Sequence, residues 1–279
     1  MSGHLYIVAT PIGNLDDITL RAIETLREVD LIAAEDTRHS KQLLNHLAIN
    51  KPMLSLHEHN ERERIDSLLR KLLDGQNVAL ISDAGTPLIS DPGYPLVSAA
   101  AQQGIRVVPV PGASSIITAL SAAGVPTDRF CFHGFLPPKG SERVQRLEQL
   151  ASIGGTHVLL ESTHRIINLL QLIEQELSES EVVVAKELTK RFENFIRGSA
   201  SDCLQEIERD SGLQKGEFVV LLNIAERQNQ SELDAQGEVL LRRLLGEVSV
   251  KTAAKIVVDI HGGKKNSWYQ RALEIGAEK

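Results

Sequence analysis

The sequence predicts an α/β protein of two α/β domains, the first built on a parallel sheet and the second on a mixed sheet, followed by a small C-terminal helical module. Three observations predict it. Short β-rich runs alternate with helical patterns through the first 122 residues, two strand-like runs later follow one another with no helix between them, and a polar segment then precedes three helical runs.

In the first domain, expected over residues 1–122, "LYIVAT", "LIAAED", "MLSLHE", "VALISDA" and "RVVPVPG" read as strands. Each is followed by a helical pattern, from "ITLRAIETLREV" to "SSIITALSAAG". Five strand-helix units in succession specify a parallel sheet covered on both faces. Gly124 and Pro126 interrupt the pattern, and a second domain over 123–226 follows. Its runs at 182–190 and 194–199 predict an antiparallel hairpin, hence a mixed sheet. "ERQNQSELDAQG" reads as a linker to the helical module, 233–279, whose middle helix opens at Ser249 and closes at Gly262-Gly263.

Composition excludes several classes. With 42% hydrophobic and 24% charged residues the chain is folded rather than disordered, and no stretch nears the roughly 20 apolar residues of a spanning helix. Two distant cysteines, Cys131 and Cys203, indicate neither a disulfide framework nor a paired-cysteine zinc site, so a reducing cytoplasm is expected. A net charge of -7 argues against bulk nucleic-acid binding. Residues 237–271, however, hold seven Lys and Arg against three Asp and Glu, a local +4. The module therefore admits two readings, a clasp on the body or a helix-turn-helix contact to nucleic acid.

Ligands of open α/β sheets gather at the carboxyl ends of strands. Three loops there stand out. In "VATPIGNLDDITLRA", Pro11 and Gly13 fix a turn and Asp16 and Asp17 are placed to cap the next helix; the usual dinucleotide and P-loop glycine patterns are absent. In "ISDAGTPLISDPG", Ala84, Gly85 and Thr86 can offer backbone groups to a polar small molecule, and Asp83 can accept from a ligand amino group, while Asp91 is assigned to capping the following helix. In "VVPVPGASSIITAL", small residues Ala113, Ser114 and Ser115 leave room for a flat ring, and a serine can cap the helix.

Charged clusters close other strands: Glu35, Asp36 and Arg38 in "AEDTR", Glu161, His164 and Arg165 in "ESTHR", Lys186 and Glu187 in "KELTK". Such charges are commonly solvated or paired. As functional groups, Asp36 and Glu161 are the candidate catalytic residues, as polar anchors or a base, and Arg38, Arg165 and Lys186 the candidates for holding substrate phosphate. His57 and His59 in "LHEHN" lack an evident third ligand, so no metal is expected.

Taken together and in order, the three loops resemble those of the tetrapyrrole methylase superfamily. Within it, "AEDTRHSKQLL", "GFLPPKG", "ESTHR" and "KELTKRFENFIRG" resemble the ribosomal RNA small subunit methyltransferase I branch, with Thr163 standing where that branch usually has Pro. The resemblance runs from about residue 4 through the C-terminal module. It implies a cleft between two α/β domains holding S-adenosyl-L-methionine, and a homodimer. It also implies 2′-O-methylation of a cytidine ribose in the decoding region of 16S rRNA, with the small ribosomal subunit as partner. Carried over residue by residue, cofactor contacts fall on Pro11, Asp83, Ala84, Gly85, Thr86, Ser114 and Ser115, with the segment near Leu160 and Glu161 closing over them. Two other functions compete: methylation of a tetrapyrrole or other small molecule, which an acidic surface suits, and a non-enzymatic nucleotide-responsive module that binds nucleic acid.

Overall fold

A computed structural model describes residues 2–57, 59–138, 140–225, 230–262 and 265–277. The chain divides into two compact units, Met1–Ala225 and Glu226–Lys279.

The larger unit contains two five-stranded sheets. The first joins β1 (His4–Val8), β2 (Leu31–Ala34), β3 (Met53–Ser55), β4 (Val78–Ile81) and β5 (Arg106–Val110), all parallel, in the order β3-β2-β4-β1-β5. Helices α1 (Leu20–Glu28), α2 (Thr37–His46), α3 (Glu61–Leu73), α4 (Tyr94–Gln102) and α5 (Ser115–Ala123) follow the strands in turn. Every residue of β2 and β4 is buried, because helices lie on both faces, which is why these strands read as unbroken apolar runs. Alternate residues feed different cores: Ala33 and Leu80 pack with Leu68 and Leu96, whereas Ile32 and Ala79 pack with Leu26 and Leu44. Pro109 is tolerated because β5 lies at the sheet edge.

Two expected caps fall elsewhere. Asp16 and Asp17 lie inside a 3-10 turn whose cap is Asn14, and Thr19 caps α1 by accepting the Ala22 N–H. Asp91 does not cap α4. That helix starts from Gly93, at φ +124°, whose N–H donates at 2.8 Å to the buried Glu61 carboxylate of α3. A buried acid one helix away thus replaces the local cap.

The second sheet contains β6 (Phe130–Phe135), β7 (Gly155–Ser162), β8 (Glu181–Lys186), β9 (Asn194–Gly198) and β10 (Glu217–Ile224), ordered β6-β7-β10-β8-β9. Only β6 and β7 run parallel; the other pairs are antiparallel, including the predicted β8–β9 hairpin. The predicted strand over 182–190 stops early, at Lys186, because Glu187 (φ 49°) and Thr189 (φ 64°) adopt left-handed conformations that turn the chain. Helices α6 (Ser141–Ile153), α7 (Ile166–Glu176) and α8 (Ala200–Arg209) cover one face. On the other face lies α5: Ile116, Ala119, Leu120 and Ala123 pack against Val158, Val183, Val219 and Leu221. Arg197 of β9 donates to the carbonyls of Ala122 and Ala123 at 2.7 and 3.0 Å, satisfying the end of α5 with a cation. The last helix of the first strand-helix series therefore packs into the second core.

The smaller unit is three helices, α9 (Gln230–Leu244), α10 (Val250–His261) and α11 (Lys265–Ala277). Ser249 caps α10 by accepting the Thr252 N–H, and Gly262 ends it at φ +76°; Gly263 and Lys264 lie outside the described residues. Leu241, Ala253, Val257, Trp268 and Ala272 form its core. Gly237 sits beneath the indole of Trp268, where a Cβ would come within 2.4 Å of the ring. Glu238 pairs with Arg242 at 2.8 Å and Arg271 at 2.7 Å, whereas Lys251 and Lys255 are exposed one turn apart on α10. Among the described residues no helix is long and apolar enough to cross a membrane.

Candidate functional site

The loops leaving β1, β2, β4 and β5 are bonded to one another. Thr10 donates its N–H to the Gly85 carbonyl at 2.8 Å, and the Gly85 N–H returns to the Thr10 carbonyl at 3.0 Å. Thr86 Oγ1 donates to the Ala113 carbonyl at 3.1 Å, and Asp83 Oδ1 accepts the Asp36 N–H at 3.1 Å. The Gly85 N–H and one lone pair of its carbonyl are engaged by Thr10, which leaves the second lone pair of that carbonyl for a ligand. Gly85 also allows the left-handed turn, φ +81°, that makes this bridge possible.

Two adjoining cavities lie above these loops. The larger, about 330 Å³, is lined by Pro11, Ile12, Ser40, Asp83, Ala84 and Lys190, among others. The smaller, about 170 Å³, is walled by Ile12, Ala84 and Ser115 from the first half and by Leu160, Glu161 and Val219 from the second. Ile12, Ala84 and Glu217 border both, so the two form one cleft between the sheets. The turn after β8 closes one side, where Thr189 Oγ1 accepts the Asn14 N–H at 3.0 Å. This contact explains Gly13, since a Cβ there would lie 2.5 Å from Lys190 Cγ and 2.9 Å from Thr189 Oγ1. Ser114 occupies the N-cap position of α5, yet its hydroxyl makes no cap hydrogen bond, contrary to the capping expected of a serine there.

The charged candidates separate. Asp36 caps α2 and forms a two-pronged pair with Arg38, Nη2 to Oδ2 at 2.8 Å and Nε to Oδ1 at 3.1 Å. The Arg38 guanidinium holds the Asp36 carboxyl well below the usual carboxylate range. Glu161 is fully buried, with Arg143 Nη2 at 2.8 Å and Arg165 Nε at 3.0 Å. Arg165 also donates to the Leu136 carbonyl at 2.6 Å. Lys186 lines a separate cavity of about 600 Å³ with Glu187, Arg191, Phe192 and Lys215. Thr163, at the position of the departure from the branch pattern, donates to the Gly216 carbonyl at 2.7 Å and accepts its N–H at 2.9 Å, fixing the turn that a proline would otherwise stiffen.

Sequence reasoning missed Arg143, which reaches Glu161 from α6, and Lys190 and Glu217, which meet at 3.1 Å beside the cleft. It also missed a gathering of Cys131, His133 and His157, while seeking metal ligands at His57 and His59. The only signal for the former was the alternation in "CFH", and it becomes meaningful only once β6 is placed beside β7.

Residues 4–203 match the family model of the tetrapyrrole (corrin/porphyrin) methylases, so fold and cleft define a methyltransferase whose methyl donor is S-adenosylmethionine. The fold is shared with diphthine synthase (TM-score 0.63, 17% identity, covering 80% of this chain and 90% of that one). It is likewise shared with uroporphyrin-III C-methyltransferase from Thermus thermophilus complexed with S-adenosylhomocysteine (TM-score 0.54, 17% identity, 79% and 97% covered). Within these methylases the chain belongs to the ribosomal RNA small subunit methyltransferase I family. It is 48% identical to the Pasteurella multocida member over 98% of both chains, and 49% identical to the Escherichia coli O157:H7 member over 98% of this chain and 95% of that one. Residues 231–276 separately match the RsmI C-terminal HTH domain.

The residues present fit the methyl donor. Ile12, Leu160, Leu188 and Val219 give an apolar wall that would suit a ring, while Asp83 and Glu217 bring carboxylates to the cleft that would suit a cationic ligand. The Ser40 hydroxyl is buried against the larger cavity with no partner among the described residues, a polar group placed for a ligand to satisfy.

Proposed function

We propose that this chain, acting in the cytoplasm as a homodimer, methylates the 2′-hydroxyl of a cytidine ribose in the decoding region of 16S rRNA within the small ribosomal subunit. The observation that carries this reading is the uninterrupted similarity to relatives named ribosomal RNA small subunit methyltransferase I, spanning cleft, second sheet and helical module alike.

When bound, S-adenosylmethionine supplies an electrophilic methyl group on a sulfonium. The chain's task is to align a ribose oxygen with it and to exclude water. In this reading Pro11, Asp83, Ala84 and Ser115 touch the cofactor from the cleft wall. Gly85 and Thr86, which also hold the loop frame that shapes the wall, and Ser114, whose hydroxyl makes no cap hydrogen bond at the start of α5, complete the contacts to it. Asp36 and Glu161 act as anchors, because each is already matched by arginine: Asp36 sets Arg38, and Glu161 sets Arg143 and Arg165. Arg38, 90% exposed at its side chain, Arg165 and Lys186 bind RNA phosphate, assisted by the exposed Lys251 and Lys255 of the smaller unit. Glu217 is the carboxylate we assign to receive the ribose proton, since it borders both cavities and is 80% exposed at its side chain. An assembled particle as substrate reconciles the overall charge of -7 with RNA binding, because its shape supplies contacts that bulk charge does not.

The test is transfer of labelled methyl from S-adenosylmethionine to small ribosomal subunits isolated without this modification, with free 16S rRNA alongside and nuclease mapping of the product. Label in one cytidine ribose supports the reading. Label in a base, or incorporation into a tetrapyrrole with none into RNA, overturns it.

A further inference from the structure

Cys131, His133 and His157 form a cluster that the methylation chemistry does not use. Cys131 lies opposite His157 in the parallel register of β6 and β7, and His133 sits at the irregularity between Phe132 and Gly134. The thiol and imidazole ligand atoms of the three residues all lie within 4.8 Å of one another, and His133 Nε2 is 2.9 Å from His157 Nδ1. His157 is fully buried. A cavity of about 330 Å³, lined by His133, Glu142, Arg146 and Gln149, opens beside the cluster.

We propose that Cys131, His133 and His157 bind a divalent transition-metal cation, with the fourth position open to solvent from the cavity beside His133. One thiolate and two imidazoles are the donor set that zinc takes in tetrahedral sites. Metal–sulfur and metal–nitrogen bond lengths in such sites separate ligand atoms by about 3.3 to 3.6 Å, so shifts of about 1 Å convert the present cluster into a coordination sphere. On binding, the Cys131 thiol releases its proton to solvent and the sulfur lone pair forms the coordinate bond. The cation then pins the edge strand β6 to β7, just before Phe135, which borders the cofactor cleft.

Arg146 opposes this state. Its Nη2 lies 3.3 Å from His133 Nδ1. A neutral imidazole that gives Nε2 to a metal carries its proton on Nδ1, and an N–H there cannot accept from a guanidinium. Arg146 is exposed and must swing away, so the site is weakened by a residue that can be removed without touching the ligands.

The experiment titrates the metal-free, full-length protein with Co²⁺ and follows its absorption. The result expected is a tetrahedral ligand-field band with a thiolate-to-cobalt charge-transfer band, saturating at one equivalent and bleached by Zn²⁺. Cys131→Ser, at an exposed position, should lose the charge-transfer band and bind roughly tenfold or more weakly, with unchanged circular dichroism and methyl transfer. Arg146→Ala should bind more tightly than the parent. No band at stoichiometric Co²⁺, an undiminished charge-transfer band in Cys131→Ser, or weaker binding by Arg146→Ala overturns the proposal.

Discussion

Asn14 donates its backbone N–H to the side-chain oxygen of Thr189 at 3.0 Å, joining the loop after β1 to the turn after β8. The approach is close because position 13 has no side chain. Gly13→Ala places a Cβ 3.0 Å from the Leu188 carbonyl and closer still to Thr189 and Lys190. This overpacking should destabilise the larger unit by about 1–3 kcal/mol and weaken S-adenosylmethionine binding. Thermal denaturation and calorimetric titration of the cofactor measure the two effects; a variant matching the parent in both would remove the turn from the cleft.

Glu161 is the counter-charge of two guanidiniums, one of them, on Arg143, only 2% exposed. Glu161→Gln leaves those cations underneath the cleft without a compensating anion. Breaking such a pair from one side costs about 3–5 kcal/mol. The denaturant midpoint should therefore fall sharply. A variant of parental stability that had lost only turnover would instead make Glu161 a catalytic group.

Burial raises the Asp91 carboxyl above its ordinary range and the neighbouring Asp83 adds to this, while a hydrogen bond with Ser82 opposes it. The folded state thus prefers protonated Asp91. Its contribution to stability is greatest below the ordinary carboxylate value of about 4 and is lost as pH rises through the raised value. Asp91→Asn should raise Tm at pH 7, and the gain should shrink toward pH 4. An equal change at both pH values would refute this assignment.

Cys203 is buried and donates to the Val182 carbonyl, and burial, together with Asp202 and Glu206, pushes its thiol up to about 12. Cys131 is exposed. Iodoacetamide should add one carboxamidomethyl group to the native, metal-free protein, at Cys131, with the second appearing only on unfolding. Intact-mass spectrometry under both conditions checks this, and rapid native labelling of Cys203 would contradict it.

Trp268 is the chain's only tryptophan and lies in the core of the smaller unit, so its fluorescence reports that unit alone. Gly237→Ala drives a methyl into the indole. The fluorescence transition should move to lower temperature, by a destabilisation of about 1–3 kcal/mol. The main circular-dichroism transition, dominated by the larger unit, should stay in place.

The parallel sheet was legible because β2 and β4 are buried on both faces and so carry no alternation, and the hairpin because two strands met with too few residues between them for a helix. That the loops border a cleft was legible from glycine, proline and small side chains. Their internal bonding was not, since backbone pairing between Thr10 and Gly85 leaves no trace in side-chain chemistry. Asp91 misled for the opposite reason: a local acid before a helix signals a cap, but Glu61, 32 positions away, takes the Gly93 N–H. Arg143 and His157 acquire partners only through helix placement and strand register, which no local pattern specifies.

The placement of α5 bears on how the cleft opens. A helix whose apolar stripe is embedded in the second sheet, while its own strand lies in the first, acts as a shared keel. Rotating one half against the other would drag Ile116 and Leu120 out of their sockets, so hinge bending is resisted and admission of ligand falls to the short turns at the rim. Exchanging halves between homologues would fail at the same place unless α5 travelled with the second sheet.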